Sequence, residues 1–218
     1  MNLLHQQNMT YKLVIFDFDG TIADTSPGII DSHIYTLKSM GREVPDKNAL
    51  LNVIGGQLLK TYVENFGFEE PLARKAVKIY RNRYEEKGIH MANLYPGFKE
   101  LLIFLKLNGY KIGIATLKAE KFAKEMLKEF QIAEYFDVVC GMDENDKLAK
   151  SDLIKKCSNI CSVLASETIL IGDSINDWNG ARTAKVGFIG VTYGFGFKQG
   201  CLYDFDIVNT VQDLKKYF

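Results

Sequence analysis

The sequence predicts a doubly wound α/β fold: a Rossmann-like parallel sheet with an inserted all-helical cap domain. Three observations lead there. Short apolar runs recur along the chain, helical patterns separate most of them, and one long stretch carries helical patterns alone. Residues 12–17 (KLVIFD) form an apolar run ending in an acid, the signature of a strand buried on both faces. Similar runs follow at 111–115 (KIGIA), 137–140 (DVVC), 168–172 (TILIG) and 188–191 (FIGV), and 206–208 reads as a short edge strand. Between them, 98–107 and 119–130 are helical, the latter repeating Phe122, Met126, Leu127 and Phe130 along one face. Strands alternating with helices imply parallel pairing through right-handed crossovers.

The stretch from Ser26 to about Tyr95 breaks that alternation. Ser26-Pro27 is a helix start, with Ser at the cap and Pro in the first turn, and Ile30, Ile34 and Leu37 follow at helical spacing until Gly41. Pro45-Asp46 opens a short helix that stops at Gly55-Gly56. A third runs through Leu58, Leu59, Tyr62, Val63 and Phe66 to Gly67. A fourth runs from near Pro71 through Leu72, Ala76, Val77, Tyr80 and Tyr84 to Gly88. Roughly 70 residues are too many for a simple crossover. The expected division is a core of residues 1–25 and 96–218 and a helical cap of residues 26–95.

Composition narrows the class. At 218 residues, 47% hydrophobic and 25% charged, the chain can bury a substantial core. Its 27 basic and 27 acidic residues cancel, which argues against a nucleic-acid binder working through bulk charge. The most apolar stretch, 101–107, is too short to span a bilayer and contains Lys106, so no membrane association is expected. Cys140, Cys157, Cys161 and Cys201 are too sparse for a disulfide framework and read as buried, reduced thiols in a cytoplasmic protein. Residues 1–10 lack the basic start and apolar run of a targeting signal and read as a short lead-in.

The chemistry gathers at the strand ends. Asp17 and Asp19 follow the first strand, two apart, with Gly20 allowing a tight turn. The second strand ends at the hydroxyl of Thr116, and strand 168–172 ends in Gly172-Asp173-Ser174-Ile175-Asn176-Asp177. One such acid pair is as readily a surface turn cap; two pairs and a hydroxyl at successive strand ends are not. Open parallel sheets bind ligands beyond the carboxyl ends of their strands. Carboxylates crowded there repel one another unless a cation intervenes, and a hard divalent ion such as Mg2+ suits an oxygen-only site that must also take phosphate. A basic partner is available from Lys147 or Lys150, either side of Leu148-Ala149 before the next helix.

Asp17-Phe18-Asp19-Gly20-Thr21, Thr116, a lysine before a helix and Gly172-Asp173-Ser174-Ile175-Asn176-Asp177 together resemble the four motifs of the haloacid dehalogenase-like phosphohydrolases. Within them the chain is most similar to the phosphoglycolate phosphatase-like group, whose connecting segments Ser26-Pro27-Gly28-Ile29, Tyr95-Pro96-Gly97-Phe98 and Val191-Thr192-Tyr193-Gly194-Phe195-Gly196 resemble. The resemblance implies Asp17 as nucleophile, Asp19 as general acid and then base, and Thr116 and a lysine as phosphoryl contacts. It implies Mg2+ held by Asp17, the Asp19 main-chain carbonyl, Asp173 and Asp177. Gly20, Thr21 and Lys118 would contact phosphate or substrate, with Gly55 and Gly56 in a cap loop reaching it. Relatives often place Pro after the lysine and Asn-Lys after the threonine. Here no Pro follows Lys147 or Lys150, and Leu117-Lys118 follows Thr116. Lys150-Ser151-Asp152-Leu153-Ile154 resembles the variant in which the lysine directly precedes the helix, which favours Lys150 and leaves Lys147 open.

The implied function is a phosphatase for a small phosphorylated metabolite, such as phosphoglycolate, a sugar phosphate or a nucleotide, acting as a monomer or homodimer. Two alternatives stand beside it. Mutases of the β-phosphoglucomutase type share both aspartates but carry His ten residues after the second, where this chain has Ile29, with His33 on a helix face. A non-catalytic metal-binding regulatory module would show a broken set of motifs. In the cap, Arg81 and Arg83 meet either a second anionic group or solvent, and Tyr62, Phe66, Tyr80 and Tyr84 read as cap core.

Overall fold

The computed structural model describes residues 11–143 and 147–218. The expected lead-in over residues 1–10, and Asp146 of the loop holding Lys147, lie outside the described residues. In chain order the strands are β1 (Leu13–Phe16), β2 (Ala23–Asp24), β3 (Asn93–Leu94), β4 (Lys111–Ala119), β5 (Val138–Met142), β6 (Thr168–Gly172), β7 (Gly187–Val191) and β8 (Asp206–Val208). The α-helices are α1 (Ser26–Ser39), α2 (Lys47–Leu51), α3 (Leu58–Lys60), α4 (Glu70–Glu86), α5 (Phe98–Leu107), α6 (Glu120–Glu129), α7 (Lys150–Cys161) and α8 (Ile175–Ala184).

Six strands form one parallel sheet in the order β5-β4-β1-β6-β7-β8. β1 is central and buried throughout, and its residues alternate between two cores. Val14 and Phe16 join the cluster containing Leu101, Ile114 and Met126, while Leu13 and Ile15 join the one containing Leu153, Cys157 and Leu170. The chain builds outward from β1 through β4 to β5, then crosses back to β6 and builds the other way. The order therefore reverses beside β1, where the carboxyl ends of β1, β4 and β6 adjoin.

Helices α1 to α4 all lie between β2 and β3, which pair antiparallel as a two-stranded ribbon at the base of the helical insert. Two residues are too few to show alternation, so this ribbon has no sequence signal. The third helical pattern departs from expectation: after α3 the chain widens into a π-helical turn at Thr61–Asn65. The cap of α1 also differs. Asp24 Oδ1 accepts from the Ser26 N–H (3.0 Å) and hydroxyl (2.7 Å), so Ser26 is inside the helix. Cys140, Cys157 and Cys161 are buried as expected, whereas Cys201 is exposed.

Within the insert, His33 is buried with Nδ1 3.2 Å from the Tyr62 hydroxyl and its ring against Phe66 and Tyr80. Arg83 is paired within the insert: its Nε and Nη2 donate to the partly exposed Asp31 at 2.7 and 3.2 Å, tying α4 to α1.

Candidate active site

β1 aims Asp17 at the sheet's carboxyl edge, and the Asp17 N–H donates to Ile171 O (2.9 Å), extending the ladder toward β6. Asp173 follows the end of β6. Asp177 sits in the first turn of α8, where its Oδ2 accepts from the Ser174 N–H (3.1 Å) and hydroxyl (2.6 Å). That capping contact fixes one carboxylate oxygen and leaves Oδ1 turned to Lys150. Asp17, Asp173 and Asp177 are all buried, and one carboxylate oxygen from each lies within 4.8 Å of the others.

Lys150 is the lysine that reaches this cluster. Its Nζ is 2.6 Å from Asp17 Oδ1, 2.7 Å from Asp177 Oδ1 and 3.0 Å from the Ala115 carbonyl. α7 begins at Lys150, whose side chain is thereby carried back into the core, whereas Lys147 is exposed in the loop. Burial opposes the charge on Lys150, but Asp17 and Asp177 outweigh it and hold the ammonium firmly protonated.

One lysine does not balance three carboxylates. Burial, then the neighbouring Asp177, push the Asp17 carboxyl up to about 7 despite Lys150. Burial, with Asp177 and Asp17, raises Asp173 as well, against the Phe195 and Gly196 N–H groups that donate to its Oδ2 at 2.6 and 3.3 Å. An oxygen-only, under-compensated, buried set of this kind fits a hard divalent cation.

Asp173 is also held by shape. A Cβ on Gly20 would lie 2.3 Å from its Oδ2, one on Gly194 2.4 Å from the same atom, and one on Gly196 2.5 Å from its carbonyl oxygen. Gly20 itself adopts a φ of +80°, which glycine takes without strain. The loop after β7 therefore lies directly on the carboxylate.

Asp19 is turned away from the carboxylate trio. Its Oδ1 accepts from the Thr25 hydroxyl (2.7 Å) and faces Lys118 Nζ (3.0 Å). Lys118 Nζ also donates to the Tyr84 hydroxyl of α4 (2.8 Å) and lies over its ring. The lysine expected at phosphate thus bridges Asp19 to the insert in this structure. Burial opposes its charge, and Asp19 and Tyr84 restore it. Thr116 is buried, with Oγ1 accepting from the Lys118 N–H (3.2 Å). Thr21 is buried too, and its Oγ1 has no hydrogen-bond partner among the described residues.

Gly55 and Gly56 lie in the insert loop that roofs the site, together with Ile29 and His33 of α1 and Tyr80, Arg81 and Tyr84 of α4. The loop is clasped to the core from both sides: Gln57 Nε2 donates to Leu148 O (2.8 Å) and Asn176 Nδ2 to Gly55 O (3.4 Å). Tyr80 and Tyr84, expected as core of the insert, are buried and also wall the cavity. Thr25 and the Phe195 and Gly196 amides were not anticipated. For Thr25, six residues after Asp19 at the foot of α1, the available signal is a hydroxyl where a helix cap was expected.

The profile of the family described as "Haloacid dehalogenase-like hydrolase" matches residues 14–191. The chain belongs to that family. Among solved structures, this haloacid dehalogenase-like hydrolase is similar to a predicted phosphatase from Clostridium acetobutylicum, at 35% identity and a TM-score of 0.87, covering 94% of this chain and 97% of the other. Among curated proteins it is 33% identical over 189 residues to a 5'-nucleotidase of Pseudomonas aeruginosa, covering 86% of each chain. It is 30% identical to a phosphoglycolate phosphatase of Nitrosospira multiformis, covering 84% of each. The hydrolase is an enzyme with the fold of the family's phosphatases. No helix among the described residues is long and apolar enough to cross a membrane.

Proposed function

We propose that the chain is a Mg2+-dependent phosphatase acting on a small phosphorylated metabolite through an aspartyl-phosphate. The observation that carries this reading is the buried bridge of Lys150 between Asp17 and Asp177 at the carboxyl edge of the sheet. A carboxylate beside a fixed ammonium, in a cluster suited to a metal, is equipped to attack phosphorus and to have the resulting charge neutralised.

A carboxylate oxygen of Asp17 forms the bond to phosphorus as the bond to the leaving oxygen breaks. Asp19 gives that oxygen its proton, then takes one from the water that attacks the aspartyl-phosphate, releasing inorganic phosphate and restoring Asp17. Thr25 and Lys118 both fall on Asp19 Oδ1, which orients the carboxyl and leaves Oδ2 to exchange the proton. Lys150 and Thr116 meet the phosphoryl oxygens, and Gly20 and Thr21 shape the loop around them. Asp17, Asp173, Asp177 and the Asp19 carbonyl would hold Mg2+, which when bound supplies positive charge against the phosphoryl group.

Residues 26–95 act as a cap domain over the core of residues 1–25 and 96–218, with Gly55 and Gly56 facing the substrate. Ile29 walls the cavity at the position where mutases carry His, which supports water as the final acceptor. Relatives named 5'-nucleotidase and phosphoglycolate phosphatase support two of the three substrate classes considered. The buried cysteines support a reducing, cytoplasmic location, and the chain works as a monomer or homodimer. The test is Mg2+-dependent hydrolysis of an aryl phosphate by the wild type and by Asp17→Asn. Turnover by the wild type alone is expected. Equal rates in the two proteins would remove Asp17 from its role.

A further inference from the structure

The space enclosed directly over Asp17 and Asp19 amounts to about 60 Å3. That is room for a few waters, well below the roughly 300–1,000 Å3 of ordinary ligand pockets. With the insert clasped down as it is, this chamber suits a phosphoryl group and leaves little space for a sizeable leaving group. It adjoins a second cleft of about 400 Å3, between the insert loop and the first turns of α7 and α8. The two share Val53, Ile54, Gly56, Thr61 and Leu117 as common wall, and Lys150 lines the second. A substrate whose phosphorus sits at Asp17 thus has a roomy continuation past the apolar strip of Val53, Ile54 and Leu117; a further cavity of about 560 Å3 meets the chamber only at Arg81 and Ala119 and, unlike this cleft, holds no residue of the Asp17–Lys150–Asp177 cluster.

The chemistry of that cleft is unlike that of the chamber, whose lining carries Asp17, Asp19, Arg81 and Lys118. Asn52, Gln57, Asn65, Asn176 and Asn179 line it with five amides, and Thr61, Ser151 and Thr183 add hydroxyls. Gln57 and Asn176 spend one N–H each on the clasp and keep their carbonyl oxygens. Of the charged lining residues, Lys150 is buried and committed to Asp17 and Asp177, while Lys60 is exposed to solvent beside Glu64 (3.7 Å). A leaving group bearing its own carboxylate finds no buried, uncommitted cation among the lining residues. A neutral body dense in donors and acceptors finds amides on several sides, and a flat one can lie on the apolar strip.

We propose that this cleft is the leaving-group subsite, and that it selects a neutral, hydrogen-bonding leaving group of the nucleoside class over a short carboxylated one. The proposal rests on the phosphatase reading above and narrows its substrate.

The test compares kcat/KM for a nucleoside 5'-monophosphate, a hexose 6-phosphate, phosphoglycolate and an aryl phosphate, in the wild type and in Asn179→Trp. Asn179 is exposed on α8, so the larger ring obstructs the cleft without entering the core. The nucleotide is expected to exceed phosphoglycolate by at least about tenfold. Asn179→Trp is expected to lower the nucleotide's value at least about tenfold more than that of the aryl phosphate. Phosphoglycolate or the hexose phosphate at or above the nucleotide overturns the assigned class. A loss uniform across all four compounds overturns the cleft as the subsite. Calorimetric titration of Asp17→Asn with the nucleotide, with and without Asn179→Trp, separates the two levels. Binding that the tryptophan abolishes, in a chain whose wild type hydrolyses nothing, keeps the cleft and sinks the phosphatase.

Discussion

In the helical insert, His33 is buried among Tyr62, Phe66 and Tyr80. At the sheet edge, Asp17, Asp173 and Asp177 are buried around Lys150. The insert keeps its buried polar groups uncharged: burial pushes His33 down to about 3 and raises Tyr62 and Tyr80. The sheet edge keeps charges and sets opposite ones against them, with room for a divalent cation to complete the balance. The insert thus gains shape from neutral packing, whereas the core stores the field that acts on phosphate. The two regions should fail differently.

The severest challenge is Lys150→Met, which preserves bulk and removes the ammonium. Two carboxylates are then left facing without their partner, and the metal-free protein should lose about 3–5 kcal/mol, read from the urea midpoint. Turnover should fall on the order of 10^3-fold. A stability change under about 1 kcal/mol would mean that the core does not rely on compensating charge.

His33 supplies the opposite case. Its folded pKa lies far below the unfolded value of about 6.5, so its neutral form's contribution is complete above that pH and is lost as pH falls toward 3. The slope approaches about 1.4 kcal/mol per pH unit. His33→Leu should flatten the acid limb of stability measured between pH 7 and 4, whatever its effect at pH 7. An unchanged limb would place the acid sensitivity elsewhere.

Asp17 has the reverse sign. Its raised pKa means that the metal-free fold holds a proton up to about pH 7, and a cation must displace it. Stabilisation by Mg2+, followed as a shift in Tm, should therefore grow from pH 5 to pH 8, by at most about 1.4 kcal/mol per pH unit for each proton released. A pH-independent shift would uncouple the metal from this carboxylate.

The mildest change falls on the seam between the regions. Tyr84→Phe removes one acceptor from Lys118 and leaves Asp19 in place. Stability should drop by about 1 kcal/mol, and kcat by less than about tenfold. A larger kcat loss at unchanged KM would show that the insert orients the proton-transfer group.

Much of this was legible because strands buried on both faces advertise themselves as apolar runs, and strand-end acids are located by those runs. Asp17, Asp173 and Asp177 are cases of that rule. The sequence favours Lys150 and leaves Lys147 open because nothing in the residues marks the first turn of α7 to within three positions, and there the backbone decides which lysine turns inward. The β2–β3 ribbon is too short for periodicity. The Phe195 and Gly196 contacts to Asp173 are made by main-chain N–H groups, which every residue but proline possesses. The part played by Lys118 escaped because its partners, Asp19 and Tyr84, are 99 and 34 positions away and share no pattern with it.

The clasp on the insert loop also ends on main-chain atoms, since Gln57 and Asn176 reach the carbonyl oxygens of Leu148 and Gly55. At Leu148 the side chain is therefore irrelevant to the grip, whereas at Gly55 a φ of +78° favours glycine. Val53, Ile54 and Leu117, which line the proposed subsite, make none of the clasp's hydrogen bonds and can be changed while the closure keeps its geometry. What the cleft accepts and how the site is shut are therefore separable by substitution.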